Sequence, residues 1–422
     1  MQNHSTHKNR KLSVAIASPG WPLNRFPNGI VAYTHNLLIG LDPIAKPVVL
    51  AAPLMMPEVK SRFIDLIKIE LIRSSWQKLL DKILFRLKGG YVKKIQYKRN
   101  VAINAKRLLS VLNNSDLQLD ILEIEESFGT TSLVVKKTKV PVVTRLHGPW
   151  FIHGPIMKMD SESDYQLRVF YEGEAIKNSS GVTSPSLDVL QKVRDFYGID
   201  LPNAKVIPNP VCEVEPNNQW QYRSEAKPFI LVVARFDLHK GGDLIVDAFK
   251  LIAQKNKMVE LLFVGPDRGV TIDGVDLLFD EYVEKFVSDE NTKKRIQFLG
   301  HCDQARITEL RKTALVTIVC SRFENFPLSL LESLAAGCPT IATAVGGMKE
   351  IIIDDYNGLL AESESPTSIA EKVLMLINDP EKMQRLSKNA IEDCKKRFSP
   401  EAVAAQTLDY YHSVLDRTTS SA

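Results

Sequence analysis

Two glutamates, Glu324 and Glu332, stand eight residues apart, and their setting suits chemistry on a charged ligand. The apolar run at 314–319 predicts a buried parallel strand, and Pro327 is typical of the first turn of a helix. Glu324 is therefore expected in the loop at the carboxyl end of a strand, where open α/β sheets bind ligands. Glu332 is expected inside the helix that follows. One strand–loop–helix element thus offers two carboxylates.

The start of that helix also offers a site for an anion. The amides of Leu328 and Ser329 have no partner within the helix and are expected to face the ligand region. A helix N-terminus with free amides is typical of phosphate binding. Either glutamate alone is more typical of an ordinary acidic loop residue or surface glutamate, so the prediction depends on the cations upstream.

Two cations occur about ninety residues earlier, in a second strand-to-helix loop. Arg235 directly follows a strand predicted over 229–234, and Lys240 precedes a helix predicted over 243–254. Parallel strands end at the same edge of a sheet, so these cations are expected near Glu324. Arginine grips phosphate oxygens with two hydrogen bonds, and lysine adds a point charge. The pair suits a diphosphate leaving group.

These motifs carry a resemblance. Arg235, Lys240-Gly241, the Glu324-x7-Glu332 pair and the Gly346-Gly347 turn resemble the retaining, GT-B-fold nucleotide-sugar glycosyltransferases of family four (glycosyl transferases group 1). The resemblance is strongest over residues 229–360. It implies an α/β protein with two Rossmann-like, doubly wound domains that face a central cleft.

The resemblance also implies roles for individual residues in the second domain. Glu324 would hold a hydroxyl group of the donor sugar, and Glu332 would bind the nucleotide ribose. The amides of Leu328 and Ser329 would bind phosphate. Gly300 and His301, after a strand predicted over 296–299, lie where the family holds the nucleotide base. Arg235 and Lys240 would stabilise the departing diphosphate.

The first domain contributes two weaker candidates. His147 follows a predicted strand, and in the family a histidine at this point touches the donor sugar; His153 is a competitor nearby. Gly29 precedes a predicted helix and would let the backbone approach a phosphate or sugar. The family often carries two glycines in this loop, and here Asn28 replaces the first. A turn accounts for Gly29 equally well.

The chain of 422 residues is too long for one ordinary core and suits two α/β domains. Apolar runs that alternate with helical periodicity predict repeated βα units in both halves. We predict an acceptor-binding domain over 1–212, a polar linker over 213–226 and a nucleotide-sugar-binding domain over 227–398. By resemblance, the terminal helix at 399–416 would pack back on the first domain.

Composition and motifs restrict the remaining possibilities. No run of 18 apolar residues and no signal sequence occurs, so we expect a cytoplasmic protein. The five cysteines (212, 302, 320, 338 and 394) are scattered, which is typical of buried thiols in a reducing compartment. Asp354-Asp355 precedes a turn sequence and is interpreted as part of that turn. We therefore expect no metal ligands, no cofactor and no nucleic-acid partner.

Residues 60–107 are strongly basic, with 14 Lys and Arg against three acidic residues, whereas the whole chain carries only +4. Within them, apolar residues from Trp76 to Leu84 share one helical face, and Lys78, Lys82 and Arg86 lie elsewhere. Such a segment is typical of a peripheral contact with an anionic membrane surface. A core helix with a solvated basic face and a site for an anionic acceptor are the alternatives.

The sequence therefore predicts a hexosyltransferase. It would move a sugar from a nucleoside diphosphate, UDP rather than GDP, to an acceptor hydroxyl of a glycan or lipid-linked glycan, as in polysaccharide biosynthesis. Two alternatives stay open. One is a GT-B-fold hydrolase or epimerase that acts on nucleotide sugars without an acceptor. The other is a binding protein that has lost catalysis, which the intact set of charged residues disfavours.

Overall fold

Short apolar segments alternate with helices along the chain, and the apolar segments form parallel strands. The computed structural model describes residues 10–26, 28–51, 65–68, 90–113, 117–223 and 228–420. It divides into two compact units, an N-terminal unit of Met1–Pro210 with Pro400–Ala422, and a C-terminal unit of Val211–Ser399. The basic segment at 76–86 lies outside the described residues.

The described strands of the N-terminal unit form one parallel sheet of seven strands in the order β3-β2-β1-β4-β5-β6-β7. They are β1 (Ser13–Ser18), β2 (Lys46–Ala51), β3 (Asp65–Lys68), β4 (Ile121–Glu125), β5 (Val142–Arg145), β6 (Gly181–Ser184) and β7 (Lys205–Val206). The direction of winding reverses between β1 and β4, as in a doubly wound fold. Its α-helices are Gly29–Leu41, Gly90–Leu112, Thr130–Val134, Trp150–Ile156, Tyr165–Asn178, Leu187–Tyr197 and Pro400–Ser420.

The C-terminal unit repeats this plan with a parallel sheet in the order β13-β10-β8-β14-β15-β16. The strands are β8 (Phe229–Val233), β10 (Glu260–Val264), β13 (Ile296–Gly300), β14 (Val316–Val319), β15 (Thr340–Thr343) and β16 (Leu359–Ala361). A small second sheet joins β9 (Phe236–Asp237), β11 (Asp267–Ile272) and β12 (Val275–Leu277). The α-helices are Gly242–Lys255, Phe279–Phe286, Glu290–Lys293, Gln304–Thr313, Leu328–Ala335, Met348–Ile351, Pro366–Ile377 and Pro380–Phe398. The prediction of two doubly wound α/β domains is confirmed.

The segment predicted as a linker packs on the C-terminal unit. Trp220 is buried at 8% exposure, and its indole N–H donates to the carbonyl of Ala314 at 2.7 Å. The unit begins at Val211, whose N–H donates to the carbonyl of Phe398 at 2.8 Å. Although this stretch is mostly polar, the buried Trp220 anchors it to the C-terminal unit. The C-terminal unit therefore begins before residue 213.

A buried charged network joins the last helix to the N-terminal sheet. Glu123 of β4 accepts hydrogen bonds from the hydroxyls of Tyr33 and Tyr411, both at 2.8 Å. Arg145 of β5 lies 4.6 Å from the centre of the Tyr33 ring and donates to Asn209 at 2.7 Å. Burial raises the pKa of Glu123, and the Arg145 charge opposes that rise. The network makes the helix Pro400–Ser420 part of the N-terminal core.

The same helix lies unusually close to the helix Gly29–Leu41. A Cβ atom added at Gly40 would lie 2.0 Å from the carbonyl oxygen of Pro400, so only glycine permits this approach.

None of the described helices combines the length and the apolar character needed to cross a bilayer.

We predict that Tyr411→Phe lowers the free energy of unfolding of the N-terminal unit by about 1–3 kcal/mol, because the buried Glu123 carboxyl loses one of its hydrogen-bond donors. Urea unfolding measures this change. The control is Tyr356→Phe, which removes the hydroxyl of a tyrosine that is 41% exposed and should change stability by less than about 0.5 kcal/mol. Equal stability of the two variants would show that the network contributes nothing.

Candidate active site

The loop after β14 carries Glu324, and a glycine turn holds its backbone in place. The carbonyl of Glu324 accepts a hydrogen bond from the N–H of Gly347 at 3.0 Å. Gly346 has a φ of +48°, and a Cβ atom there would lie 2.1 Å from that same carbonyl oxygen. The Gly346-Gly347 turn therefore packs directly against the Glu324 backbone, and only glycine fits at 346.

The Glu324 carboxylate is buried, at 9% exposure, and binds two neighbours. It forms an ion pair with Lys240 and accepts a hydrogen bond from the hydroxyl of Ser321 at 2.8 Å. Burial alone would raise the pKa of Glu324, but the Lys240 ammonium and the Ser321 hydrogen bond hold it below its usual value. Glu324 is therefore an anion at neutral pH, matched by a cation from the other loop.

The loop between β8 and the helix Gly242–Lys255 positions Lys240. Asp237 accepts the Lys240 backbone N–H at 2.7 Å, which turns the chain before the helix. Gly241 has a φ of +72°, and a Cβ atom there would lie 2.1 Å from the carbonyl oxygen of Cys320. The two predicted site loops are thus in direct backbone contact, and this contact brings Lys240 to Glu324.

Arg235 is placed differently from Lys240. Its Nε lies 3.0 Å from a carboxylate oxygen of Asp237, two residues along the chain, and its side chain is 41% exposed. Arg235 and Lys240 are therefore in the same loop, but only Lys240 pairs with Glu324. The Asp237 partner is a site residue that the sequence reasoning did not identify.

A pocket lies between these loops. Its polar lining comes from Lys240, Ser321, Glu324 and Ser329, and its walls come from β8 and β14. Ser329 lies in the first turn of the helix Leu328–Ala335, and Pro327 before it supplies no side-chain cap. The pocket therefore combines an ammonium group, a carboxylate and the positive end of a helix.

Glu332 lies one turn further along that helix and is held by Arg311. The Arg311 guanidinium, only 3% exposed, donates to Glu332 at 2.8 Å. The Glu332 side chain is 35% exposed, so one side of it faces solvent. Arg311 was missed because it lies on the helix Gln304–Thr313, which carries no recognisable motif.

Arg322 is a second residue that the sequence reasoning missed. It donates to both carboxylate oxygens of Asp243 at 2.7 Å, and its Nε lies 2.8 Å from Glu364. Arg322 therefore ties the Glu324 loop to the start of the helix Gly242–Lys255. Its position two residues before Glu324 is a signal that could have identified it.

The predicted base-binding residues end β13. Gly300 has a φ of +63°, and its carbonyl accepts the N–H of Gly265 at 2.8 Å. His301, the next residue, is exposed. The structure places both in the C-terminal unit but does not bring them into the pocket lined by Glu324.

The two N-terminal candidates belong to the other unit. Gly29 begins the helix Gly29–Leu41, whose first amides, of Ile30 and Val31, already donate to the Asn28 side chain at 3.0 Å. A Cβ atom at Gly29 would meet nothing within 4 Å, so the fold itself does not require glycine there.

His147 lies in the loop after β5, its ring 4.8 Å from that of Tyr33 in an edge-to-face contact. The Glu126 carboxylate accepts the backbone N–H groups of His147 and Gly148 at 2.9 and 2.6 Å. Burial, together with the nearby Arg145 charge, lowers the pKa of His147 well below its usual value. The imidazole is therefore neutral at pH 7 and held in a fixed loop.

Within the described residues, no group of three or more His, Cys, Asp or Glu side chains is arranged to hold a metal ion. Asp355 has a φ of +59° and pairs with Lys382 and Arg385 at 2.9 and 3.0 Å. Asp354-Asp355 thus forms part of a turn.

The fold and the C-terminal site define a class. Sucrose-phosphate synthase from Thermosynechococcus elongatus aligns over 96% of this chain and all of its own, with a TM-score of 0.71 at 18% identity. HepE of Anabaena, in complex with UDP and glucose, covers 95% of this chain and all of its own, with a TM-score of 0.65 at 18% identity. The fold is that of the GT-B glycosyltransferases.

The sequence comparisons then give the family. The model of glycosyl transferases group 1 matches residues 214–393. An uncharacterized glycosyltransferase from Methanocaldococcus jannaschii is 30% identical over 286 residues, which are 68% of this chain and 72% of the relative. The chain belongs to the glycosyl transferases group 1 family and is a glycosyltransferase. The predictions of family and enzyme class are confirmed, whereas the roles of individual residues stay predictions.

We predict that Gly346→Ala destabilises the C-terminal unit more than Gly274→Ala does. Both positions have positive φ values, +48° and +79°, which cost an alanine about 1–2 kcal/mol. Only the alanine at 346 also collides with the Glu324 carbonyl, since nothing lies within 4 Å of a Cβ atom at 274. Calorimetric unfolding of both variants tests the difference. Equal unfolding temperatures would contradict the described turn.

Proposed function

We propose that this enzyme transfers a hexosyl unit from a UDP-sugar to a hydroxyl group of a glycan or lipid-linked glycan, with retention of anomeric configuration. The observation that carries the proposal is the Lys240–Glu324 pair in a pocket beside a helix N-terminus. The presence of UDP and glucose in the HepE complex supports UDP as the donor nucleotide.

The donor diphosphate is bound by positive charge. Lys240 and Ser329, which lies in the first turn of the helix Leu328–Ala335, line the pocket, and the first amides of that helix would bind phosphate. Arg235, whose side chain is 41% exposed and whose Nε lies 3.0 Å from Asp237, can turn its other N–H groups toward phosphate oxygens. These groups need no metal ion to neutralise the leaving diphosphate.

Carboxylates bind the two sugars of the donor. Glu324 is anionic and accepts a hydrogen bond from a hydroxyl of the transferred sugar. This hydrogen bond replaces part of the contact between Glu324 and Lys240. Glu332, half-exposed and oriented by Arg311, accepts hydrogen bonds from the ribose hydroxyls. Both roles use carboxylate oxygens that accept hydrogen bonds and that ion pairs with Lys240 and Arg311 already orient.

The chemical step is a substitution on one face of the donor sugar. The bond between the anomeric carbon and the phosphate oxygen breaks, and the acceptor oxygen bonds to the same face of that carbon. The acceptor proton passes to the departing phosphate oxygen. Lys240 and the helix N-terminus stabilise the charge that develops on the phosphate, and preorganised donors of this kind typically contribute about 2.7–4 kcal/mol each.

We predict that Lys240→Ala, Arg235→Ala and Glu324→Ala each lower turnover about 100-fold or more, because each removes a group that acts on the transition state. Glu332→Gln, which retains a hydrogen-bond acceptor for Arg311, should act mainly through the KM of the donor, because ribose contacts are alike in ground and transition states. Product analysis would use UDP-glucose, UDP-galactose and UDP-N-acetylglucosamine with alkyl glycoside acceptors.

The matched control is Lys255→Ala, which removes an exposed lysine from the helix that follows Lys240. Near-normal kinetics in folded Glu324→Ala would overturn the site assignment. Consumption of all donor at full rate without acceptor would instead favour a hydrolase or epimerase.

We also propose that the N-terminal unit contacts an anionic membrane surface on its cytoplasmic side, where a lipid-linked acceptor would lie. The helix Gly90–Leu112 carries six Lys and Arg and no acidic residue. It buries Val101, Ala105, Leu108 and Leu112, while Tyr91 is 78% exposed and Lys93, Lys94 and Lys98 are exposed. An exposed tyrosine among lysines suits the boundary between lipid headgroups and water.

We predict that the protein sediments with vesicles containing phosphatidylglycerol and that added salt weakens this binding. Replacing Lys93, Lys94 and Lys98 together by glutamate should abolish sedimentation. The matched control replaces three exposed lysines of the helix Pro380–Phe398 by glutamate, Lys388, Lys395 and Lys396, and so changes the net charge by the same amount. Equal binding to neutral vesicles, or equal loss in both triple variants, would contradict a specific membrane face.

A further inference from the structure

The loop after β5, residues 147–150, has its backbone fixed by side chains from other elements. Glu126, directly after β4, accepts the N–H groups of His147 and Gly148 at 2.9 and 2.6 Å. Glu126 is fully buried, so water does not compete for these hydrogen bonds. The place of His147 in the fold therefore depends on the Glu126 carboxylate.

Glu172 holds the other end of the same loop. It lies on the helix Tyr165–Asn178, is also fully buried, and accepts the N–H of Trp150 at 2.6 Å. Pro149, between the two held parts, has no N–H to donate. Two carboxylates therefore bind every backbone N–H of residues 147–150, so a movement of either carboxylate moves the loop.

Arg168 supplies positive charge to these carboxylates. Its Nε–H donates to Glu172 at 3.0 Å, and its guanidinium lies 3.7 Å from the centre of the Trp150 ring. The Arg168 charge also acts on Glu125 and Glu126, which repel each other when both are ionised. We call these three glutamates and Arg168 the carboxylate cluster. Three carboxyl groups share one guanidinium there, so ionising all three away from water is unfavourable.

The carboxylate cluster keeps protons to an unusually high pH. Burial, together with the Glu126 charge, raises the pKa of Glu125 to about 8. Burial, which the Arg168 charge opposes, raises the pKa of Glu172 to about 8 as well. Burial also raises the pKa of Glu126, but the backbone N–H groups of the loop oppose this rise. Glu126 is therefore the group whose ionised form the loop stabilises, and the cluster still holds protons at pH 7.

Neighbouring groups do not change their charge near pH 8. The Glu172 charge acts on three tyrosines, and burial is the main cause that raises the pKa of each above its usual value: Tyr97, Tyr165 and Tyr197. Burial, together with the Arg145 charge, lowers the pKa of His147 well below its usual value. The tyrosines and the imidazole therefore stay neutral, so a change of charge in this region near pH 8 comes from the carboxyl groups.

Rising pH removes the protons of the carboxylate cluster and weakens its hold on the loop. In the unfolded chain a glutamate has a pKa of about 4.3, so Glu125 and Glu172 bind more protons in the folded state. Their stabilising contribution is fully present below about pH 4.3 and is lost as the pH rises through about 8. The repulsion that then develops acts on the carboxylates that hold residues 147–150.

We propose that Glu126 and Glu172 are positioning residues for glycosyl transfer, which fix His147 through the 147–150 loop and loosen it when the carboxylate cluster loses its protons. This inference rests on the proposed function, since by family resemblance a histidine at this point touches the donor sugar. The two glutamates act through His147 and need no contact with the sugar.

Hydrogen exchange of the full chain, read by mass spectrometry and corrected for the intrinsic rate, tests the hold on the loop. We expect the protection of residues 147–150 to fall about tenfold or more between about pH 6.5 and pH 9. Glu125→Gln replaces a titrating carboxyl by a neutral group of the same shape, so the fall should shrink to about threefold or less. The matched control, Glu174→Gln, removes a carboxylate on the same helix as Glu172 that pairs with Lys136 at 2.6 Å, and should leave the fall unchanged. Equal protection at both pH values, or the same fall in Glu125→Gln, would overturn the proposal.

Kinetics separate the positioning of His147 from general support of the fold. Glu126→Gln should lower kcat about tenfold or more at pH 7 and raise the donor KM less, because a displaced group beside the reacting sugar acts mainly on the transition state. In a His147→Ala background the same substitution should lower kcat less than about twofold, since Glu126 acts through that histidine. Full additivity of the two substitutions would assign Glu126 to the fold alone and overturn its positioning role.

The two measurements also distinguish this inference from the proposed function. If Glu126→Gln does not fold, hydrogen exchange in Glu125→Gln still decides whether the cluster controls the loop. No turnover by the unsubstituted enzyme with any UDP-sugar would overturn the proposed function, and with it the catalytic role of the two glutamates. A normal exchange result in the same protein would show that the failure lies in the proposed reaction and not in the described loop.

Discussion

A buried carboxylate needs a cation, and the contact between Glu324 and Lys240 meets that need across two loops that are 84 residues apart. Breaking such a pair from one side typically costs about 3–5 kcal/mol, because the remaining charge stays buried. The backbone of the neighbouring loops is arranged around this contact. Gly241 lets one loop approach the carbonyl of Cys320, and Gly346 lets a third loop approach the carbonyl of Glu324. The glycines of the family motif are thus as necessary to the site as its charges.

The pair also gives the site a defined charge state. Lys240 and Glu324 neutralise each other. Under the proposed function, a diphosphate that draws on the ammonium would leave the carboxylate in need of a new donor, and a sugar hydroxyl would supply one. The proposed donor would then need both its nucleotide and its sugar to satisfy this ion pair.

The fold was predictable because buried parallel strands are short apolar runs and their ends are marked by turn residues. The strands predicted over 296–299 and 229–234 are observed as Ile296–Gly300 and Phe229–Val233. The small sheet of β9, β11 and β12 was not predicted, because its polar strands lack that signal. In the site, strand ends predict which residues are neighbours but not how side chains pair. Arg235 therefore pairs with Asp237, and Arg311, from a helix without a motif, holds Glu332.

The helix Pro400–Ser420 completes the N-terminal unit with residues from the far end of the chain. During synthesis on a ribosome, Glu123 is made 288 residues before Tyr411, whose hydroxyl it binds. While the whole C-terminal unit is being made, the Glu123 carboxyl group and an apolar surface of the N-terminal sheet therefore stay uncovered. The last part of the chain closes the first domain, so a chain that stops early is left with an incomplete N-terminal core. In a cell, such a product would present the exposed apolar surface that chaperones and proteases recognise.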